Sequence, residues 1–186
     1  MTVKDIIKIS ATQIGREDVV DYLDGKTTSA SEQTVKDVDR LLRLCNLVIN
    51  ELACSFIPMR ITQTLNSEDG KVYYENLNFN PLEILAVYDS NGKDVMGKVY
   101  SRFVTVTEKR VTVEYSCFPP KYQLEDEIGY TPDQIPERVL SYGLSAEFAI
   151  SEGCFKDAVM WHDRYADAVY NLCKPKNQTV KKRVWQ

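Results

Sequence analysis

The spacing of hydrophobic positions changes period twice along this chain, and the changes divide it into three parts. From Ser31 onward, Val35, Val38, Leu42, Cys45, Ile49, Leu52 and Phe56 recur at alternating intervals of three and four. That spacing predicts one long helix over 31–56, about seven turns with a continuous apolar stripe. Leu41, Leu44 and Val48 widen the stripe, so the helix is expected to have neighbours on more than one side. Glu32 to Lys36 and Asp39 to Arg43 fall outside it at ion-pair spacing, and Pro58 stops the helix. Ahead of it, Thr2 and Asp5 form a potential capping box for a short helix over 2–15, closed by Gly15. The segment REDVVDYLDG adds a further turn or two before Gly25, and KTTSAS has the composition of a loop.

Residues 59–117 follow a period of two. MRITQTL and KVYYENL flank the turn sequence Asp69-Gly70, a second turn falls at Asn91-Gly92, and RFVTVTEKRVTVEY alternates on both sides of Glu108-Lys109. This predicts a small antiparallel β module of about four to six strands. Residues 102–115 are expected to pair as a hairpin whose tip, Thr107, Glu108, Lys109 and Arg110, reaches beyond the body. Helical spacing then returns over 136–152 and 155–173, opened by Pro136 and jointed at Gly153, which predicts two antiparallel helices. The core stripe of the second is expected to run through Phe155, Ala158/Val159, His162, Tyr165/Ala166, Val169 and Leu172/Cys173. The fold class is therefore α+β: a helical bundle with one long central helix and a C-terminal helix pair, with a small antiparallel β module in the middle of the chain.

Length and charge refine this picture. With 186 residues, 44% of them hydrophobic, the chain suits one core, here assigned to residues 1–173 as a single domain. Residues 174–186, KPKNQTVKKRVWQ, stand apart as a basic tail. The chain holds 23 basic and 27 acidic residues, and five of the basic ones lie in that tail, leaving 18 against 27 in residues 1–173. A body near −9 repels phosphate, so a nucleic-acid-binding body is not expected. Asp5 and Lys8 interrupt the stretch a secretory signal would need, and no apolar run approaches membrane-spanning length, so neither signal nor membrane contact is expected. Five cysteines without a CxxC pair read as reduced, mostly buried thiols.

Candidate chemistry is sparse. His162 is the single histidine, so catalytic or metal patterns needing two are excluded, and its place in the stripe marks it as a structurally satisfied residue, with an interface or a catalytic role as the alternatives. Gly25-Lys26-Thr27 resembles the end of a phosphate loop, but Val20 stands where the first glycine belongs. The acidic group Glu125, Asp126, Glu127 and Asp133 has no ligand spacing beyond clustering. No catalytic residue, cofactor or metal is assigned, and the protein is not expected to be an enzyme.

The order of the pieces goes further. A long helix ending LLRLCNLVINELACSFIP, a β module, the helix pair in IPERVLSYGLSAEFAISEGCFKDAVMWHDRYADAVYNL and a basic C-terminal segment together resemble the head-to-tail adaptors of tailed bacteriophages, also called connector or head-completion proteins. The likeness spans residues 1–173 in layout and is most specific in 41–58 and 135–172. It implies a structural virion protein at the head–tail junction, made in the bacterial cytoplasm. Such proteins form homo-oligomeric rings, typically of twelve copies, beneath the portal protein and join it to the tail or tail-completion protein. Double-stranded DNA passes through the lumen without sequence-specific binding. In this reading Lys174, Lys176, Lys181, Lys182, Arg183, Val184 and Trp185 form a portal-docking strap without fixed structure until bound, in which the basic residues steer and Trp185 anchors. Residues 107–110 face the lumen or the tail. The β segment is larger than in minimal helical adaptors. Two other readings compete: a cytosolic interaction or regulatory module that binds an acidic partner through the basic tail, and a carboxylate metal site around Glu125 to Asp133.

Overall fold

The computed structural model describes residues 1–27, 30–131 and 133–174, and its elements follow from local chemistry. At the N-terminus the Thr2 hydroxyl accepts a hydrogen bond from the Asp5 N–H at 3.2 Å, and Asp5 Oδ2 accepts one from the Thr2 N–H at 3.0 Å. This capping box starts α1, Val3–Gln13, which buries Val3, Ile6, Ile7 and Ala11. Helix α2, Glu17–Leu23, stops before Gly25, whose φ of +70° only glycine adopts without strain. Lys26, the lysine of the phosphate-loop look-alike, pairs with Asp21 and Asp24. Helix α3, Glu32–Glu51, is capped by Ser31, which accepts from the Thr34 N–H at 3.0 Å.

The expected helix over 31–56 changes character in its last turn. Residues Leu52–Phe56 form a π-helical turn, closed by a bond from the Ile57 N–H to the Leu52 carbonyl at 2.7 Å. The wider turn keeps Leu52 and Ala53 inside and leaves Phe56 outside. The buried face of α3 is Thr34, Asp37, Val38, Leu41, Cys45, Val48 and Ile49, so Val35 and Phe56, expected in the core, are exposed. The Glu32–Lys36 pair forms at 2.5 Å, whereas among the described residues Asp39 and Arg43 do not pair with each other. Arg40 instead reaches across to Glu152 beyond the end of α4.

Helices α4, Glu137–Ser151, and α5, Phe155–Cys173, run back on each other through Gly153, and α4 also packs on α1 and α3. Small residues make those approaches possible. Ser10 of α1 meets Ser145 of α4 at 2.9 Å between hydroxyls, and Gln13 bridges to Ser141 at 3.0 Å. A Cβ added at Gly143 would sit 2.8 Å from Val48 Cγ1 and 3.0 Å from Tyr165 Cε2, so glycine permits α3 and α5 to close on α4 from two sides.

The β module contains six antiparallel strands in two sheets. Strands β1 (Met59–Asn66), β6 (Arg110–Cys117) and β3 (Pro81–Tyr88) form one sheet in the order β1-β6-β3. Strands β2 (Lys71–Tyr73), β5 (Phe103–Val106) and β4 (Met96–Val99) form the other in the order β2-β5-β4. The expected 102–115 hairpin is therefore corrected: β5 and β6 belong to different sheets. Val104 and Val106 pair with β2 and β4, while Arg110 onward pairs with β1, so residues 107–109 form a corner between the sheets. The physical reason is that Val72, Val104, Val111 and Val113 all turn inward, and folding the ribbon into two sheets buries them together.

Residues 118–136 join the two halves of the molecule. The Asn46 side chain holds both the N–H and the carbonyl of Tyr122, at 2.8 and 3.0 Å, and the Tyr130 hydroxyl donates to the Ile57 carbonyl at 2.6 Å. The acidic run finds its use here. Glu125 pairs with Lys4 at 3.0 Å, Asp126 Oδ2 accepts from the Gln123 N–H, and backbone bonds tie Leu124 and Asp126 to the start of α1. One core cluster runs from α1 through α3 and α4 into both sheets.

Candidate assembly surface

Helix α5 is apolar around more than half its circumference. One stripe, Ala158, Trp161, Tyr165 and Val169, is buried. A second, Phe155, Val159, His162, Ala166, Tyr170 and Cys173, also has helical spacing and faces outward. Phe155 is 69% exposed, Val159 60% and Tyr170 65%. This corrects the expectation that Phe155, Val159 and His162 belong to the core: the helix turns its Trp161 and Tyr165 side inward. Trp161 stacks on Tyr142 with ring centres 5.8 Å apart, and Tyr165 fills the space beside Gly143. Those two larger aromatics bury more apolar area than the alternative face would.

The outer stripe continues onto the π-helical turn that follows α3. Phe56, 46% exposed, shares a groove of about 250 Å³ with Glu51, His162, Ala166, Tyr170 and Cys173. Glu51 accepts a bond from the Tyr165 hydroxyl at 3.4 Å, and burial first, then that carboxylate, raises the phenol pKa. His162 Nδ1 stands 4.0 Å from Asp163 Oδ1, with the ring open to solvent, so it is neither a satisfied core histidine nor hydrogen-bonded to that carboxylate. A further cavity of about 380 Å³ opens where the end of α1 meets the α4–α5 joint, lined by Arg16, Phe148, Glu152, Asp157 and Trp161. Two of its charged side chains are engaged within the chain: Arg16 contacts Asp18 at 2.8 Å and the buried Asp37 at 2.7 Å, and Glu152 holds Arg40. Hydrogen bonds from Arg16 and then from the Thr34 hydroxyl hold the Asp18 carboxyl well below the usual carboxylate range, against the opposing effect of its partial burial. The Cys45 thiol, desolvated in the core, is pushed up to about 12.

The other predicted site residues lie elsewhere. Thr107, Glu108, Lys109 and Arg110 are exposed at the corner between the sheets, where the Glu108 and Lys109 carbonyls accept bonds from Ser67. Lys174 caps the end of α5, its ammonium 4.4 Å from the centre of the Tyr170 ring. Lys176, Lys181, Lys182, Arg183, Val184 and Trp185 fall outside the described residues. Sequence reasoning missed the outer stripe as a surface, although its signal was present: α5 carries aromatic residues at two helical phases, and one helix cannot bury both against a single neighbour. Among the described residues no helix is long and apolar enough to cross a membrane, and no group of three or more His, Cys, Asp or Glu side chains converges as a metal site would require. No protein-family model and no characterised protein matches this chain.

Proposed function

We propose that this protein is a head-to-tail adaptor of a tailed bacteriophage, a non-enzymatic ring subunit that joins the portal to the tail at the head–tail junction of the virion. The observation that carries the reading is the second apolar face of α5, continued by Phe56, which the other described residues leave open. A contiguous exposed apolar patch rimmed by polar residues is characteristic of an interaction surface, and a ring supplies each copy with a neighbour to cover it. The acidic body supports the same reading, since carboxylates along a lumen repel phosphate and let double-stranded DNA slide without specific contacts. Twelve copies would match a twelvefold portal, residues 174–186 would hold the portal, and the corner at 107–110 would face the lumen or the tail-completion protein. Electron microscopy of the protein mixed with the phage's portal tests the proposal. A closed ring on the portal is expected, and one or two copies per portal would refute it.

A further inference from the structure

We propose that the outer face of the β2-β5-β4 sheet is a contact surface for single-stranded nucleic acid, in which a base stacks on Tyr100 while Lys71, Lys98 and Arg102 meet the neighbouring phosphates. The face follows from strand register. Lys71, Val72 and Tyr73 pair with Thr105, Val104 and Phe103, and Val72 and Val104 are buried, so alternation turns Lys71, Tyr73, Phe103 and Thr105 outward. Tyr100, in the turn between β4 and β5, stacks on Phe103 with ring centres 4.7 Å apart and planes 28° from parallel. Tyr73 leans on the same ring at 5.7 Å and 56°. Tyr100 is 46% exposed, yet it is fixed in place. Its N–H donates to the Phe103 carbonyl at 2.9 Å, and its carbonyl accepts from the Tyr74 hydroxyl at 2.8 Å. A solvent-facing ring held by its own backbone and propped by a second ring has its stacking surface ready, so little ordering cost remains when a planar partner arrives.

Charge selects the partner. The Lys71 ammonium lies 5.0 Å from the centre of the Phe103 ring, and the Lys98 N–H donates to the Thr105 hydroxyl at 2.7 Å, which sets Lys98 beside the same outward row. Arg102 precedes Phe103 in the exposed turn. Among the described residues none of these three cations pairs with a carboxylate, and the one ion pair within 59–117 is Arg60–Glu114 at 3.9 Å. Cations without an acidic partner, set beside stacked aromatic rings, complement a chain that offers planar rings and phosphates together, and a single strand leaves its bases open for stacking. A neutral sugar would stack but leave the cations unmatched. The acidity that argues against a nucleic-acid-binding body lies mostly elsewhere: residues 1–58 and 118–173 hold 19 acidic and 11 basic residues, whereas 59–117 hold eight and seven. At physiological salt, charges more than about 8 Å apart are largely screened, so the local balance decides. The proposal does not rest on the adaptor reading, in which double-stranded DNA passes without specific contacts.

Fluorescence anisotropy of a short labelled oligothymidylate, titrated with the full-length protein at several salt concentrations, tests the contact. Tyr100→Ala should weaken binding about tenfold or more, with the melting temperature unchanged because the side chain is exposed. Lys98→Gln combined with Arg102→Gln should lower the slope of log affinity against log salt by about 1.4, the loss expected for two phosphate contacts on a single strand. Binding that survives both variants unchanged would overturn the proposal, since the basic residues of 174–186 would then account for it. Absence of binding, a preference for the duplex of the same sequence, or equal displacement by polyglutamate or by a neutral oligosaccharide would each overturn it as well. None of these outcomes bears on whether the protein forms a ring on a portal.

Discussion

Replacing Gly143 by alanine tests whether the packing of α3, α4 and α5 depends on a close approach at one point. In an ordinary helix interior the change would stabilise by about 0.5–1 kcal/mol, because alanine loses less backbone entropy. Here the new methyl would lie 2.8 Å from Val48 Cγ1 and 3.0 and 3.1 Å from two atoms of the Tyr165 ring. Val48 is β-branched and buried, and Tyr165 is held on its other side by Glu51, so neither can turn away freely. Overpacking of this kind costs about 1–3 kcal/mol, which exceeds the gain in propensity. The net expectation is destabilisation by about 1 kcal/mol, with Val48→Ala in the same chain recovering part of it. Urea denaturation followed by circular dichroism reads this as a lower midpoint at unchanged slope. A Gly143→Ala protein more stable than the wild type would refute the packing argument, and an additive double mutant would show that Val48 is not the obstacle.

Further outcomes are expected elsewhere. Phe155→Asp combined with Tyr170→Asp should leave the melting temperature within a few degrees of wild type, since both side chains are exposed, and should abolish ring formation on the portal in micrographs. Tyr130→Phe removes the hydroxyl bonded to the Ile57 carbonyl at 2.6 Å and should cost about 1 kcal/mol or more, since a partly buried carbonyl loses its partner; chemical denaturation measures it. The Asp18 carboxyl is held low by Arg16 in the folded state, so its contribution to stability is complete above its unfolded pKa of about 3.9 and is lost as pH falls below that value. Thermal melts across an acid series should therefore fall less steeply in Asp18→Asn than in the wild type, with the variant less stable at neutral pH.

Most element boundaries were legible in the chain itself, because they depend on neighbours in sequence. The capping box at Thr2 and Asp5, the Ser31 cap, Pro136 before α4 and the break at Gly153 all act within a few residues, and the structure places helices where these signals stand. Period two over 59–117 likewise marked strands correctly, since alternation needs only a half-buried surface. Which strand pairs with which was not legible. Alternating residues on both sides of Glu108-Lys109 suit a hairpin and a corner equally, and the corner forms because β1 and β3 occupy the two edges of β6 while β2 and β4 occupy those of β5. The role of residues 118–136 was hidden as well, because apolar residues that follow neither helical nor strand spacing give no periodic signal, yet Tyr122 and Tyr130 clamp the β module to α3 through hydrogen bonds to distant partners.

The candidate site shows the same division. That α5 is a helix with apolar residues at two phases follows from sequence alone, through the spacing of Phe155, Val159 and Tyr170 and of Trp161, Tyr165 and Val169. Which phase is buried was settled by tertiary structure: Gly143 on α4 leaves room for the Tyr165 ring, and Tyr142 offers Trp161 a stacking partner, so the helix rotates His162 into solvent. Periodicity measures the angle between residues on one helix, whereas the direction that angle is measured from comes from the shape of the neighbour it packs on.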